Sequence, residues 1–171
     1  MNKIVLLPVF LLIFTSALFG QTTEKDAKAI AEKIQQLVQN LEFPAGAGPA
    51  DGKPVKICVI GDSPVTALLK ELATSSNVPY EVTAVSNTDD LKVYHIVYNP
   101  SSEISSLPNV LKQVGGSKIL TLSSAKDFAR YGVMVNLSKE NSDYNYEINT
   151  MVLDGVGIKI DSSILKKAVK I

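Results

Sequence analysis

The stretch Val55-Lys56-Ile57-Cys58-Val59-Ile60-Gly61-Asp62-Ser63-Pro64 decides the fold. An apolar run this short, rich in β-branched residues, is that of a strand covered on both faces. Gly61 then punctuates the chain, Asp62 or Ser63 supplies a helix cap, and Pro64 suits a first helical turn. Val65, Leu68, Leu69 and Leu72 follow at helical spacing, so the segment reads strand, turn, helix.

The same alternation recurs downstream. YEVTAV (80–85) and VYHIVYN (93–99) read as strands, and Leu107 to Val114 as a helix with Pro108 in its first turn and Gly115-Gly116 at its end. KILTL (118–122) is another buried strand, and SSAKDFARYG a short capped helix that stops at Gly132. Strands and helices in this order predict one α/β domain with a mixed, mostly parallel sheet flanked by helices. VMVNLS and YNYEINT, joined by the turn-prone KENSD, predict an antiparallel hairpin at one side of that sheet.

The two ends of the domain read less regularly. Upstream, Ala27, Ile30, Ala31, Ile34, Leu37, Val38 and Leu41 predict an amphipathic helix over about 23–41. Glu42-Phe43-Pro44 ends it, and AGAGPADGK follows as a surface loop. The terminal DGVGIKIDSSILKKAVKI predicts a glycine-rich turn and a short helix with Ile164, Leu165, Ala168 and Val169 inward and Lys166, Lys167 and Lys170 outward.

The first residues carry a targeting pattern. Lys3 precedes an almost unbroken apolar run from Ile4 to Phe19, and Ser16, Ala17 and Gly20 stand before the polar QTTEKD. This predicts a signal peptide over 1–20, a mature domain over 21–171, and export to the periplasm of a bacterium. The run is shorter than the ~20 residues that span a bilayer. A lipoprotein needs a cysteine at the cleavage point, and the single cysteine is Cys58.

The whole chain balances 17 basic against 17 acidic residues, and removal of Lys3 leaves a mature charge of about minus one. Nucleic-acid binding calls for a basic surplus or stripe, which is missing. Cys58 has no partner for a disulfide and no flanking cation to activate it, so a buried, inert thiol is expected.

Catalytic chemistry finds little to stand on. His95 is the lone histidine and is predicted in mid-strand, away from an element end where a triad would need it. One histidine and one cysteine give no transition-metal site, and no cofactor motif is present. AGPADGKP has Ala47 and Pro54 where a phosphate-binding loop has glycine and serine or threonine, so it reads as a surface loop. Asp89 and Asp90, and the trio Asp143, Glu147 and Asp154, are solvated charge by default. The sequon at Asn136 has no consequence in a bacterium.

One constellation survives as a candidate ligand pocket. In an open parallel sheet, ligands gather at the carboxyl ends of strands, and three such exits here are Gly61-Asp62-Ser63, Ser101-Ser102 and Ser123-Ser124. Helix capping explains the same residues equally well.

KILTLSSAKDFARYGVMVNLSKENSDYNYEINTMVLDGVGIKIDSSILKKAVKI resembles the end of the YfiR-like family, through Leu120, Thr121, Phe128, Ala129, Gly132, Tyr146, Glu147, Ile148, Asn149, Gly157, Ser162, Ser163, Leu165 and Ala168. LEFP and KICVIGDSP resemble its upstream motifs. The resemblance implies a small periplasmic α/β protein that restrains a membrane-anchored diguanylate cyclase through the cyclase's periplasmic part, limiting cyclic di-GMP and biofilm formation. Phe128, Gly132, Glu147 and Asn149 are its motif residues here. Val133 replaces the second glycine of a family pair. Tyr94 lies near a family cysteine position, so redox gating is not implied.

The expectation is therefore a non-enzymatic regulator that binds a membrane signalling partner, a diguanylate cyclase or sensor kinase. The alternative is a periplasmic small-molecule binding protein using the strand-exit pocket. The oligomeric state stays open, a homodimer included.

Overall fold

A computed structural model describes residues 23–86 and 89–171. The predicted signal peptide over 1–20 lies outside the described residues. The first helix, α1 (Glu24–Val38), starts where the Thr23 hydroxyl accepts the Asp26 N–H at 3.1 Å and buries the predicted apolar stripe as far as Val38. It stops short of the expected 41. Leu41–Glu42 (β1) is extended instead and later pairs antiparallel with a distant strand, an attraction that helical periodicity does not register.

β2 (Val55–Ile60) is buried at every position but Lys56. It leads into α2 (Pro64–Ala73), capped by Ser63 rather than Asp62, and then β3 (Tyr80–Val85). β4 (Ile96–Asn99) is shorter than VYHIVYN suggests. Asp90 accepts the Lys92 N–H at 3.0 Å and folds Leu91–Val93 into a 3-10 turn, so His95 stands just before the strand and not within it. α3 (Leu107–Val114), β5 (Leu120–Ser123), a 3-10 turn at Phe128–Tyr131 and the hairpin β6 (Val135–Glu140) and β7 (Asp143–Ile148) follow.

The last segment departs most from expectation. The glycine-rich stretch is a helix, α4 (Thr150–Val156), which Gly157 ends at φ +74°. β8 (Lys159–Ile160) pairs with β1, α5 (Ser162–Leu165) is a single turn capped by Asp161, and β9 (Val169–Lys170) is a strand. Val169 is 53% exposed rather than inward, and Ile164, at 2%, is the buried anchor, with Leu165 and Ala168 only partly covered. The apolar spacing from Ile164 to Val169 fits one helical turn followed by a strand as well as it fits a continuous helix.

The seven-stranded sheet runs β3-β2-β4-β5-β6-β7-β9. The first five are parallel, β7 is antiparallel to β6, and β9 lies parallel to β7. Ile57, Val59, Ile96, Tyr98, Leu120 and Leu122 pack on one face with residues of α1 and α2. Cys58, Ile60 and Val97 pack on the other with Leu91, Val110 and Val114. The fold is the expected single α/β domain with a mostly parallel sheet.

Candidate functional site

The three strand exits are adjacent, because β2, β4 and β5 are neighbours in the sheet. Gly61, at φ +73°, has the Glu103 carboxylate lying over it so closely that a Cβ would come within 2.6 Å of Oε1. Only glycine satisfies both the backbone angle and the space. Asn99, at the end of β4, is buried; its Nδ2 donates to the Glu103 carbonyl at 2.9 Å and its Oδ1 accepts the Ser106 hydroxyl at 2.6 Å.

Of the predicted pocket residues, Gly61 and Asp62 line an open depression of about 570 Å³ with Ile60, Ala84, Val85, Ser86 and Glu103. Ser63 is spent on the α2 cap. Ser101 opens the 3-10 segment Ser101–Ser106, in which Ser102 is exposed. Ser123 is buried and accepts the Ala125 N–H at 3.2 Å, while Ser124 shares a 2.7 Å hydrogen bond with the Tyr98 hydroxyl. Burial raises the Tyr98 phenol far above its usual range, so that hydroxyl stays protonated. The depression thus gathers two of the expected residues and adds Glu103, for which the sequence carries no signal. Asn99 entered the sequence reading only as the last residue of the strand VYHIVYN.

At the opposite end of the strands, His95 Nδ1 accepts the Lys56 N–H at 2.8 Å. Burial, reinforced by the Lys56 charge, holds its imidazole below the usual range. The ring is a neutral acceptor in the sheet's frame. Among the described residues no group of three His, Cys, Asp or Glu side chains is placed to hold a metal ion.

A second constellation surrounds Asn149. Its N–H donates to the Met134 carbonyl at 2.9 Å, its Nδ2 to the Ala129 carbonyl at 2.8 Å, and its Oδ1 accepts the Val152 N–H at 3.1 Å. One side chain and its amide therefore join the 128–131 turn, the start of β6 and the cap of α4. Gly132 ends that turn at φ +99°, and Val133 is fully buried behind it. Glu147 accepts the Asn136 amide at 3.0 Å. Phe128 meets Tyr131 edge to face at 5.9 Å. Beside this junction two large apolar side chains lie in solvent, Tyr131 at 67% and Met151 at 84% exposure.

The YfiR/HmsC-like family model matches residues 28–169. The chain belongs to the YfiR/HmsC-like family. The match runs from within α1 to the first residue of β9 in this YfiR/HmsC-like protein. Among curated proteins none matches it in sequence.

Solved structures share its fold. The ABC domain in complex with L-Trp from Streptococcus pneumonia superposes with a TM-score of 0.55 at 16% identity over 84% of this chain. A conserved domain protein from Vibrio cholerae O1 biovar El Tor strain N16961 gives 0.60 at 12% identity over 84%. The YfiR/HmsC-like chain spans 59% of the length of each.

Proposed function

We propose that this protein is exported, loses a signal peptide near Gly20, and restrains a membrane-anchored signalling partner in the periplasm by binding it. The partner class implied by the family is a diguanylate cyclase, and a sensor kinase is the other membrane signalling partner the reading admits. The observation that carries the reading is the family match over residues 28–169. Tyr131 and Met151, exposed beside Asn149, are the contact side chains we assign to the partner, since large apolar residues in solvent mark interaction sites. The action is occupancy, so no turnover is needed.

Deletion of the gene should raise cyclic di-GMP, and an exported copy should lower it again. A folded His95→Ala copy should restore repression as well as the parent does, because no reaction depends on that imidazole. Mass spectrometry of the native protein should find an N-terminus near Gln21. Unchanged cyclic di-GMP and unchanged envelope signalling in the deletion strain would refute the regulatory reading.

A small-molecule reading is the second proposal. It rests on the open depression at Gly61, Asp62 and Glu103, with Ser63, Ser101, Ser102, Ser123 and Ser124 on the surrounding exits. Tight binding of a metabolite by the purified protein, weakened by Glu103→Ala, would favour it.

A further inference from the structure

At the starts of the parallel strands the chain gathers positive charge. Lys53 precedes β2 and Lys56 lies on it, Lys92 comes shortly before β4, and Lys118 shortly before β5. These strands are neighbours in the sheet, and all four lysines are exposed. Two hollows open among them and meet at Val93 and His95. One, of about 330 Å³, is lined by Lys92, Lys118, Ser117, His95 and the turn Gly46–Gly48, with no carboxylate in its wall. The other, of about 500 Å³, is lined by Lys53 and Lys56 and by one acid, Glu81. The whole chain balances 17 basic against 17 acidic residues, so a wall with lysines and no acid is a local departure from its composition.

The smaller hollow is also held in shape. Phe43 packs against the His95 ring at 5.8 Å between centroids, and Gly48 passes so close to Phe43 that a Cβ there would come within 3.0 Å of the Phe43 Cβ. Gly46 turns the chain at φ +74°, and Lys118 Nζ reaches the Ala45 carbonyl at 3.5 Å. The N–H groups of Gly46 and Gly48 meet no acceptor among the described residues. His95 Nδ1 accepts the Lys56 N–H at 2.8 Å, so the neutral ring carries its proton on Nε2, as a further donor in the wall. Ammonium groups and spare N–H donors, with no opposing carboxylate, make an anion site.

We infer that this hollow binds a phosphate group, held between Lys92 and Lys118 against the Gly46–Gly48 turn. Lysine binds phosphate as a point charge, and the volume is at the small end of the range for ligand pockets. The loop AGPADGKP is not a phosphate-binding loop of the helix-opening kind, since it enters β2 and no helix follows it directly; the charge comes from the starts of β4 and β5. Two sources carry this chemistry, a soluble phosphate and the headgroup of an anionic phospholipid. Val93, 56% exposed where the two hollows meet, offers the second an apolar side chain beside the charge. The site lies at the opposite end of the strands from the Gly61 depression, and the inference rests on neither functional reading above.

The test is a titration of the purified exported protein with inorganic phosphate, read by amide NMR. The amides of Gly46, Gly48, Ser117 and Lys118 should shift together with a dissociation constant on the order of 1 mM, and acetate at equal ionic strength should leave them in place. Lys92→Ala with Lys118→Ala should weaken binding about tenfold or more. Lys166→Ala with Lys167→Ala removes the same charge from exposed positions elsewhere and should change it little. Co-sedimentation with vesicles separates the sources. Binding to phosphatidylglycerol vesicles, absent with phosphatidylcholine and lost in the Lys92, Lys118 variant, assigns a lipid headgroup; phosphate binding without vesicle binding assigns a soluble phosphate. No amide shift at about 20 mM phosphate, together with no vesicle binding, would overturn the inference. So would an equal response to acetate, and so would equal weakening by the Lys166, Lys167 pair.

Discussion

The parallel strands β3, β2, β4 and β5 and the strands β6, β7 and β9 share one sheet but bury it differently. In the parallel half, β2, β4 and β5 are covered on both faces, and their positions are buried almost without exception. In the other half, β7 alternates: Tyr144, Tyr146 and Ile148 are buried in the core that contains α1, while Asp143, Asn145 and Glu147 are more open. Asn136, fully buried on β6, gives its amide to Glu147 and leaves its Oδ1 without a partner among the described residues. The first half is built as scaffold. The second alternates buried and open positions along β7, ties its 128–131 turn to α4 through Asn149, and leaves Tyr131 and Met151 in water.

The sharpest way to break this contrast is to truncate each half. Ile96→Ala, at a fully buried site on β4, should cost about 2–5 kcal/mol in denaturant unfolding. Asn149→Ala should cost about 1–3 kcal/mol, since it removes a helix cap and strands a carbonyl, and it should also loosen the 128–131 turn. Equal losses at the two sites, with no change near Tyr131, would erase the distinction.

Cys58 sharpens the scaffold side. It is fully buried, and desolvation pushes its thiol up to about 12. A thiol reagent should label the native protein only through unfolding, at a rate that follows denaturant-dependent opening. Rapid labelling under native conditions would contradict the covered face.

The smallest expected effect is electrostatic. Lys139 lies 2.7 Å from Asp26, joining β6 to the first turn of α1. The Lys139 contact, opposed in part by burial and aided by Thr23, holds the Asp26 carboxyl below its usual range. A depressed acid contributes stability that is present above the unfolded pKa of about 4 and lost as pH falls through the folded value. Near the surface this amounts to at most about 1 kcal/mol. Asp26→Asn should therefore flatten the acid limb of the stability profile slightly and change little once the pH lies below the folded value of Asp26.

The parallel half was legible in the sequence because buried strands leave short apolar runs and their helices carry caps. Ser63-Pro64 and Gly115-Gly116 mark their ends where the structure has them. The terminal segment was not legible, because β1, β8 and β9 are two-residue strands held by partners far away in the chain. Local periodicity carries no record of such pairing. The pocket residues were hard to read for a similar reason. Serines spent on nearby backbone N–H groups, as Ser63 and Ser123 are, look the same in sequence as serines that bind a ligand. Asn149 stood out only through a resemblance, and what the structure adds is its hydrogen bonds to the 128–131 turn, Met134 and α4.

The measurement that tests the central claim most directly is cyclic di-GMP in the deletion strain as a function of exported protein. The parent should lower it in proportion to amount and saturate at a fixed ratio to the membrane partner. A Tyr131→Asp, Met151→Asp variant, exported equally and unfolding at the same temperature as the parent, should fail to lower it at any level. Full repression by that variant would contradict the account.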